Sequence, residues 1–157
     1  MTATPNPRTY VAVIDSTPES RTALRFAARR AARTGGTVLL LAVAPSPEFS
    51  QWGGVQAAME QEAEERAQGL LAQVAGEMLE EAGIRPVIMS RSGDPVDAVK
   101  ALLAEETWID ALVLGAAARG GPGPLVSHFS GEAAGSLRCP IMIIPGGLDD
   151  EALDRLS

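Results

Sequence analysis

The chain has 157 residues, the size of one ordinary domain, and 46% of them are hydrophobic with no low-complexity tract, so a folded protein with a real core is expected. A formal net charge of −7 argues against nucleic acid or an anionic membrane surface as partner, since both call for clustered Lys and Arg. With one cysteine, Cys139, an internal disulfide is excluded and a cytoplasmic protein is expected; with one histidine besides, a zinc site is not.

The opening "MTATPNPRTY" has no apolar segment of the kind a signal peptide needs, and residues 1–8 read as a flexible N-terminus. "TYVAVID" (9–15) reads as a strand. A helix follows in "TPESRTALRFAARRAARTGG", with Thr17 able to cap, Pro18 suited to the first turn, and Gly35-Gly36 as its end. Ala23, Phe26 or Ala27, and Ala31 share one face, and the arginines of "RFAARRAAR" read as a solvated face. "TVLLLAVA" (37–44) is a second, buried strand, far shorter than the ~20 residues of a spanning helix. "PSPEFSQWGG" is a loop whose Phe49 and Trp52 can cover a crevice, face a partner or tuck onto the domain edge.

From about Val55 to Ala82, the spacing of Met59, Ala63, Leu70, Val74 and Met78 predicts a long helix with these residues in the core. "RPVIMS" (85–90) predicts a third strand, and "GDPVDAVKALLAEE" a helix with Asp94 at its cap and Pro95 in its first turn. "DALVLG" (110–115) is a fourth strand. It leads into "GAAARGGPGPLVSHFSGE", after which "SGEAAGSL" predicts a short helix and "CPIMIIPG" a fifth strand. The acidic tail, 147–157, is expected to be frayed or a last short helix.

Strand–helix alternation predicts a doubly wound α/β fold with a mostly parallel sheet and helices on both faces. In such sheets ligands bind outside the carboxyl ends of the strands, where the winding reverses. The loops "DSTPES" and "GAAARGGPGP" leave two such ends, and they share a crevice only if strands one and four are neighbours. Catalytic chemistry is poorly supported. No G-x-x-x-x-G-K-[ST], first-turn G-x-G-x-x-G or G-x-S-x-G is present, His128 is the one usual base, and Asp15 lacks the acidic partners and lysine of a phosphoacceptor site. No enzyme activity, catalytic residue or metal is expected.

"YVAVIDSTPESRTALRFAARRAARTGGTVLLLAVAP", "SGDPVDAVKALLAEETWIDALVLG" and "CPIMIIP" together resemble the universal stress protein family, over about Tyr10 to Pro145. The resemblance implies a Rossmann-like single domain over 9–146 with a five-stranded parallel sheet of order 3-2-1-4-5, placing strands one and four side by side. It also implies that Asp15 lies near adenine and ribose, with Val13, Ile14 and Val43 available to line an adenine slot and Arg119 to reach phosphate. Each has a plainer reading: Asp15 as a turn cap, the three aliphatics as core, Arg119 as a solvated loop charge.

ATP-binding members carry Gly, two residues, Gly, nine residues, Gly, then Ser or Thr. Here the first falls on Gly115 and the second on Ala118. Counting back from Cys139-Pro140, the final pair falls on Ser127-His128, which leaves the loop one residue short. A register using Ala118, Gly121 and Gly131 puts Glu132 in the hydroxyl position, against phosphate, and is rejected. Ala at a glycine position resists φ > 0, and Pro122 and Pro124 each remove an N–H donor. His128 stands where a small hydroxyl belongs, and it also reads as a polar cap or surface group near a helix start. Ser127 and Ser130 can still donate, and a helix beginning near Ser127 would offer N–H groups to an anion. The expectation is a regulatory module with no required cofactor, binding ATP or AMP weakly at most. The alternative is an ATP- or AMP-binding switch or slow ATPase. A homodimer through the last strand, Ile141–Pro145, is expected because that apolar edge is otherwise bare, and Lys at Met142 and Ile144 is expected to give monomers.

Overall fold

In a computed structural model, which describes residues 7–45 and 53–157, the strands are β1 (Thr9–Ile14), β2 (Thr37–Ala44), β3 (Val87–Ser92), β4 (Ala111–Ala116) and β5 (Ile141–Pro145). They form one sheet of order β3-β2-β1-β4-β5, every pair parallel, with Tyr10 opposite Val38 on one side and Ala111 on the other. The helices are α1 (Pro18–Thr34), α2 (Gly53–Ala82), α3 (Pro95–Glu105), α4 (Pro124–Phe129) and α5 (Asp150–Leu156). Alternation along β1 sends Tyr10, Ala12 and Ile14 into a core with α1, α2 and Leu153 of α5. Val11 and Val13 go into a second core with α3 and α4. The fold and strand order are those expected, and β1 and β4 are neighbours.

Capping chemistry fixes the helix ends. Thr17 accepts from the Ser20 N–H at 3.3 Å, Asp94 from Asp97 at 3.0 Å and Asp149 from Ala152 at 2.8 Å. Gly35 closes α1 in the left-handed region, at φ 67°. Arg138 closes the far end of α3: its guanidinium donates to the carbonyls of Leu103, Glu106, Thr107 and Ile109, between 2.7 and 3.4 Å.

Several expectations are corrected. Met59 is 47% exposed, as is Val55 at 54%, so the first turns of α2 lie outside the core; the buried line is Ala63, Ala67, Leu71, Val74 and Met78. On α1 it is Ala27, not Phe26, that is fully buried. β3 is shifted two residues toward the C-terminus of its expected span and, as an edge strand, leaves Val87 and Ile88 exposed. Ile144 points into the first core, 5% exposed, while Ile143, at 41%, and Pro145 are the exposed residues of β5. The arginines of α1 are not a solvated face: Arg25 and Arg29 form ion pairs with Asp154, and Arg33 donates to the Ser157 carbonyl at 2.6 Å. The acidic tail is α5, docked on α1. Phe49 and Trp52, expected to cover a crevice, face a partner or tuck onto the domain edge, lie outside the described residues, as do residues 1–6 of the N-terminal segment.

Candidate functional site

The carboxyl ends of β1 and β4 do share a crevice. Val13 and Asp15 from β1 and its loop meet Leu114 and Gly115 of β4, with Pro95 of α3 and Pro122–Leu125 closing one side. The cavity is about 130 Å³, below the ~300–1,000 Å³ of common small-molecule sites. A second cavity of about 300 Å³ opens on the other side of the strand ends. Ile14, Ala42, Val43 and Pro45 line it against Ala63, Arg66, Ala67 and Leu70 of α2. Asp15 borders both. The aliphatics expected to form one adenine slot are therefore divided: Val13 lies in the first cavity, Ile14 and Val43 in the second.

Asp15 is exposed and its carboxylate partly spoken for. Oδ1 accepts from the Thr17 N–H at 2.8 Å and from the Thr17 hydroxyl at 2.5 Å, while Oδ2 has no hydrogen-bond partner among the described residues. The Ser20 hydroxyl binds the Asp15 carbonyl at 3.0 Å and so ties the end of β1 to the first turn of α1. The turn-capping and ligand-facing readings are compatible here, because each takes a different oxygen.

The loop between β4 and α4 departs most from expectation. α4 begins at Pro124, not near Ser127, because Gly123 at φ 106° turns the chain and Pro124 supplies a ready-made first helical φ. The Ser127 N–H consequently lies inside the helix and donates to the Gly123 carbonyl at 3.0 Å. The Ser130 hydroxyl donates to the Val126 carbonyl at 2.6 Å. His128 sits in the last turn of α4, edge-on to Phe129 with ring centroids 5.0 Å apart. Its Nε2 is buried without a partner among the described residues. None of Ser127, His128 and Ser130 lines either cavity. Glu132–Ser136 adds one 3-10 turn in place of the expected helix over 130–137, since Gly131 and Gly135 interrupt it.

Ala118 and Arg119 are exposed on the same loop, and Arg119 makes no hydrogen bond or ion pair among the described residues. Ala118 carries no strain: no described residue other than glycine has positive φ. The left-handed positions of the loop fall on Gly120, at φ 76°, and Gly123.

Sequence reasoning missed Pro95, Pro122–Leu125 and Arg66 as lining groups. Pro95 had a signal, since the start of a helix following a parallel strand lies at the carboxyl edge of the sheet. Arg66 lies on the same helix as buried Ala63 and Ala67, three residues after one and just before the other, a cation beside an apolar stripe. Among the described residues there is no helix long and apolar enough to cross a membrane and no group of three or more His, Cys, Asp or Glu that could hold a metal.

The universal stress protein family is the family whose sequence model matches the chain, over residues 7–145. No curated protein matches it. Among solved structures, the universal stress protein UspA from Lactobacillus plantarum is similar at 17% identity and a TM-score of 0.73, covering 88% of this chain and 99% of that one. An Arabidopsis thaliana universal stress protein family protein with AMP bound is similar at 19% identity and TM-score 0.65, covering 88% of this chain and 92% of that one. A universal stress protein in complex with cAMP is similar at 20% identity and TM-score 0.57, covering 87% and 96%.

Proposed function

The chain belongs to the universal stress protein family, and from that premise we propose that it is a cytoplasmic regulatory module. In this reading it is a homodimer joined through β5, carries a weakened nucleotide crevice, and catalyses no reaction of its own. One observation carries the weakened crevice: the Ser127 N–H, expected to meet phosphate, is spent on the Gly123 carbonyl at 3.0 Å. Pro122 and Pro124 have no N–H to offer, and the Ser130 hydroxyl is turned back on α4. Two or three donors lost at ~1.5 kcal/mol each lower affinity by a factor of roughly a hundred or more. A micromolar site thereby becomes about millimolar.

Titration calorimetry with ATP and magnesium at neutral pH tests this. Binding weaker than ~100 µM is expected on that arithmetic. A low-micromolar constant, or ATP retained through purification, overturns the reading.

A second reading, an AMP-responsive switch or slow ATPase, is favoured by the crevice that Val13, Asp15 and Gly115 share and by the AMP bound to the Arabidopsis relative. A base and ribose need fewer of the lost donors than a triphosphate does. Heat-released nucleotide, identified by chromatography, separates the two: AMP supports the switch, and an empty protein supports the first reading.

A further inference from the structure

Arg21, Arg25, Arg29 and Arg33 recur every fourth residue of α1 and therefore lie in one row along its surface. Acidic groups face this row from two helices. From α2, Glu77 meets Arg21 at 2.5 Å and Glu81 meets Arg25 at 3.9 Å. From α5, Asp150 meets Arg25 at 3.3 Å, and Asp154 contacts both Arg25 and Arg29. Arg33 holds the Ser157 carbonyl. Leu153, 2% exposed, is the one buried residue of α5 itself.

α5 lies beyond residues 7–145, the span shared with the family. At seven residues it is too short to be helical by itself, so it is folded because it is docked. The Asp150 pair is open to water, with that side chain 74% exposed, and such a pair holds weakly, whereas the Asp154 Oδ1 and Arg29 Nε atoms of the neighbouring pair are buried. Residues 146–149 join α5 to β5, with the Gly146 N–H donating to the Ala116 carbonyl at 2.7 Å and Leu148 packed on the first core. α5 also leaves part of its berth unfilled: a cavity of about 250 Å³ runs between α1 and α2 beside it, with Leu24, Val74 and Met78 among its lining and Arg21 as well.

We propose that this trough is a docking surface for an acidic amphipathic helix with an aliphatic anchor, filled in cis by α5 and taken over by a partner protein that presents the same chemistry on a longer helix. The arginine row selects carboxylates on the side of the helix that faces α1. Glu77 and Glu81 on the opposite wall select basic or neutral residues on the side that faces α2, and they repel a nucleic-acid backbone. The apolar lining already takes Leu148 and Leu153 from this segment, and the unfilled volume rewards a further aliphatic side chain. Because α5 is tethered, it competes at an effective concentration on the order of millimolar, and a partner engages fully only when α5 releases.

The test uses the 157-residue chain and a fluorescent peptide of residues 147–157. Anisotropy titrations compare the unaltered protein with a Leu153→Ala, Asp154→Asn variant, whose own α5 is loosened. The peptide is expected to bind the variant at least roughly tenfold more tightly, since the tethered competitor is weakened. Adding Arg29→Ala to the variant is expected to remove that gain. Equal binding to both proteins, or a gain that survives Arg29→Ala, overturns the proposal. Asp149→Ala, which removes only the cap of α5, provides a second check by hydrogen exchange. Faster exchange confined to α5, with β1 and β4 unchanged, is expected. Amides of α5 that exchange as slowly as those of β1 in that variant make α5 a fixed part of the core and likewise overturn the proposal.

Discussion

The backbone carbonyl of Glu19, in the first turn of α1, lies where a Cβ on Gly115 would have to sit. Gly146 is under the same pressure, for its Cβ would come within 2.7 Å of the Ala116 carbonyl and 2.9 Å of the Glu19 Cβ. The glycine that matches the family's phosphate motif is thus required by helix-on-sheet packing, whatever binds above it. Gly115→Ala is expected to destabilise the fold by about 3 kcal/mol, the upper end for overpacking, because backbone rather than a flexible side chain must yield. Urea unfolding measures it. A change under about 0.5 kcal/mol, the level of an indifferent surface substitution, would show that α1 shifts freely.

Arg119 is exposed and unpaired among the described residues, so its removal should leave stability unchanged and act through phosphate alone. Arg119→Ala is expected to weaken ATP binding by roughly tenfold, the loss of one charge-assisted contact of ~1.5 kcal/mol. AMP or adenosine should change less. Calorimetry on the three ligands decides, and equal losses for all of them count against Arg119 as a phosphate contact.

If β5 is the dimer edge, the residue to alter is Ile143, not Ile144. Ile143 is 41% exposed and its replacement by Lys leaves the core intact, whereas Lys at position 144, 5% exposed, would bury an unpaired charge. Ile143→Lys is expected to give folded monomers by light scattering with circular dichroism unchanged. A variant that stays dimeric places the interface elsewhere.

Burial pushes the Cys139 thiol above its ordinary range; the neighbouring Arg138 charge opposes this and Asp110 adds to it. A raised folded-state value means the folded protein keeps the thiol proton longer than the unfolded chain does. The associated stability is present below the ordinary thiol range and is lost as pH rises through and beyond it. Iodoacetamide labelling between pH 7 and 9 should be several-fold slower in the native protein than in urea, since thiolate is the nucleophile. Equal rates would mean that the thiol is not shielded.

Periodicity and composition determined the parts of this protein that depend on near neighbours in the chain. Strand–helix alternation, the Thr17 and Asp94 caps, the Gly35 stop and the apolar second strand were all legible, because a cap or a helical face is set within about four residues. The site was legible only in outline. Asp15 and Gly115 were placed by their strand ends, and strand alternation already parts Val13 from Ile14, but Val43, which packs on the second core and still lines the second cavity, follows from no spacing. The β4–α4 loop misled for a related reason. Which glycine takes a left-handed turn is settled by how the loop packs against its neighbours, and the choice of Gly123 moved the helix start and used up the Ser127 donor. The fate of the arginine row was likewise tertiary. A helical face of Arg, read alone, is a solvated face. It became an ion-pair ladder because α2 sets Glu77 and Glu81 beside it and the chain returns more than a hundred residues later with Asp150 and Asp154.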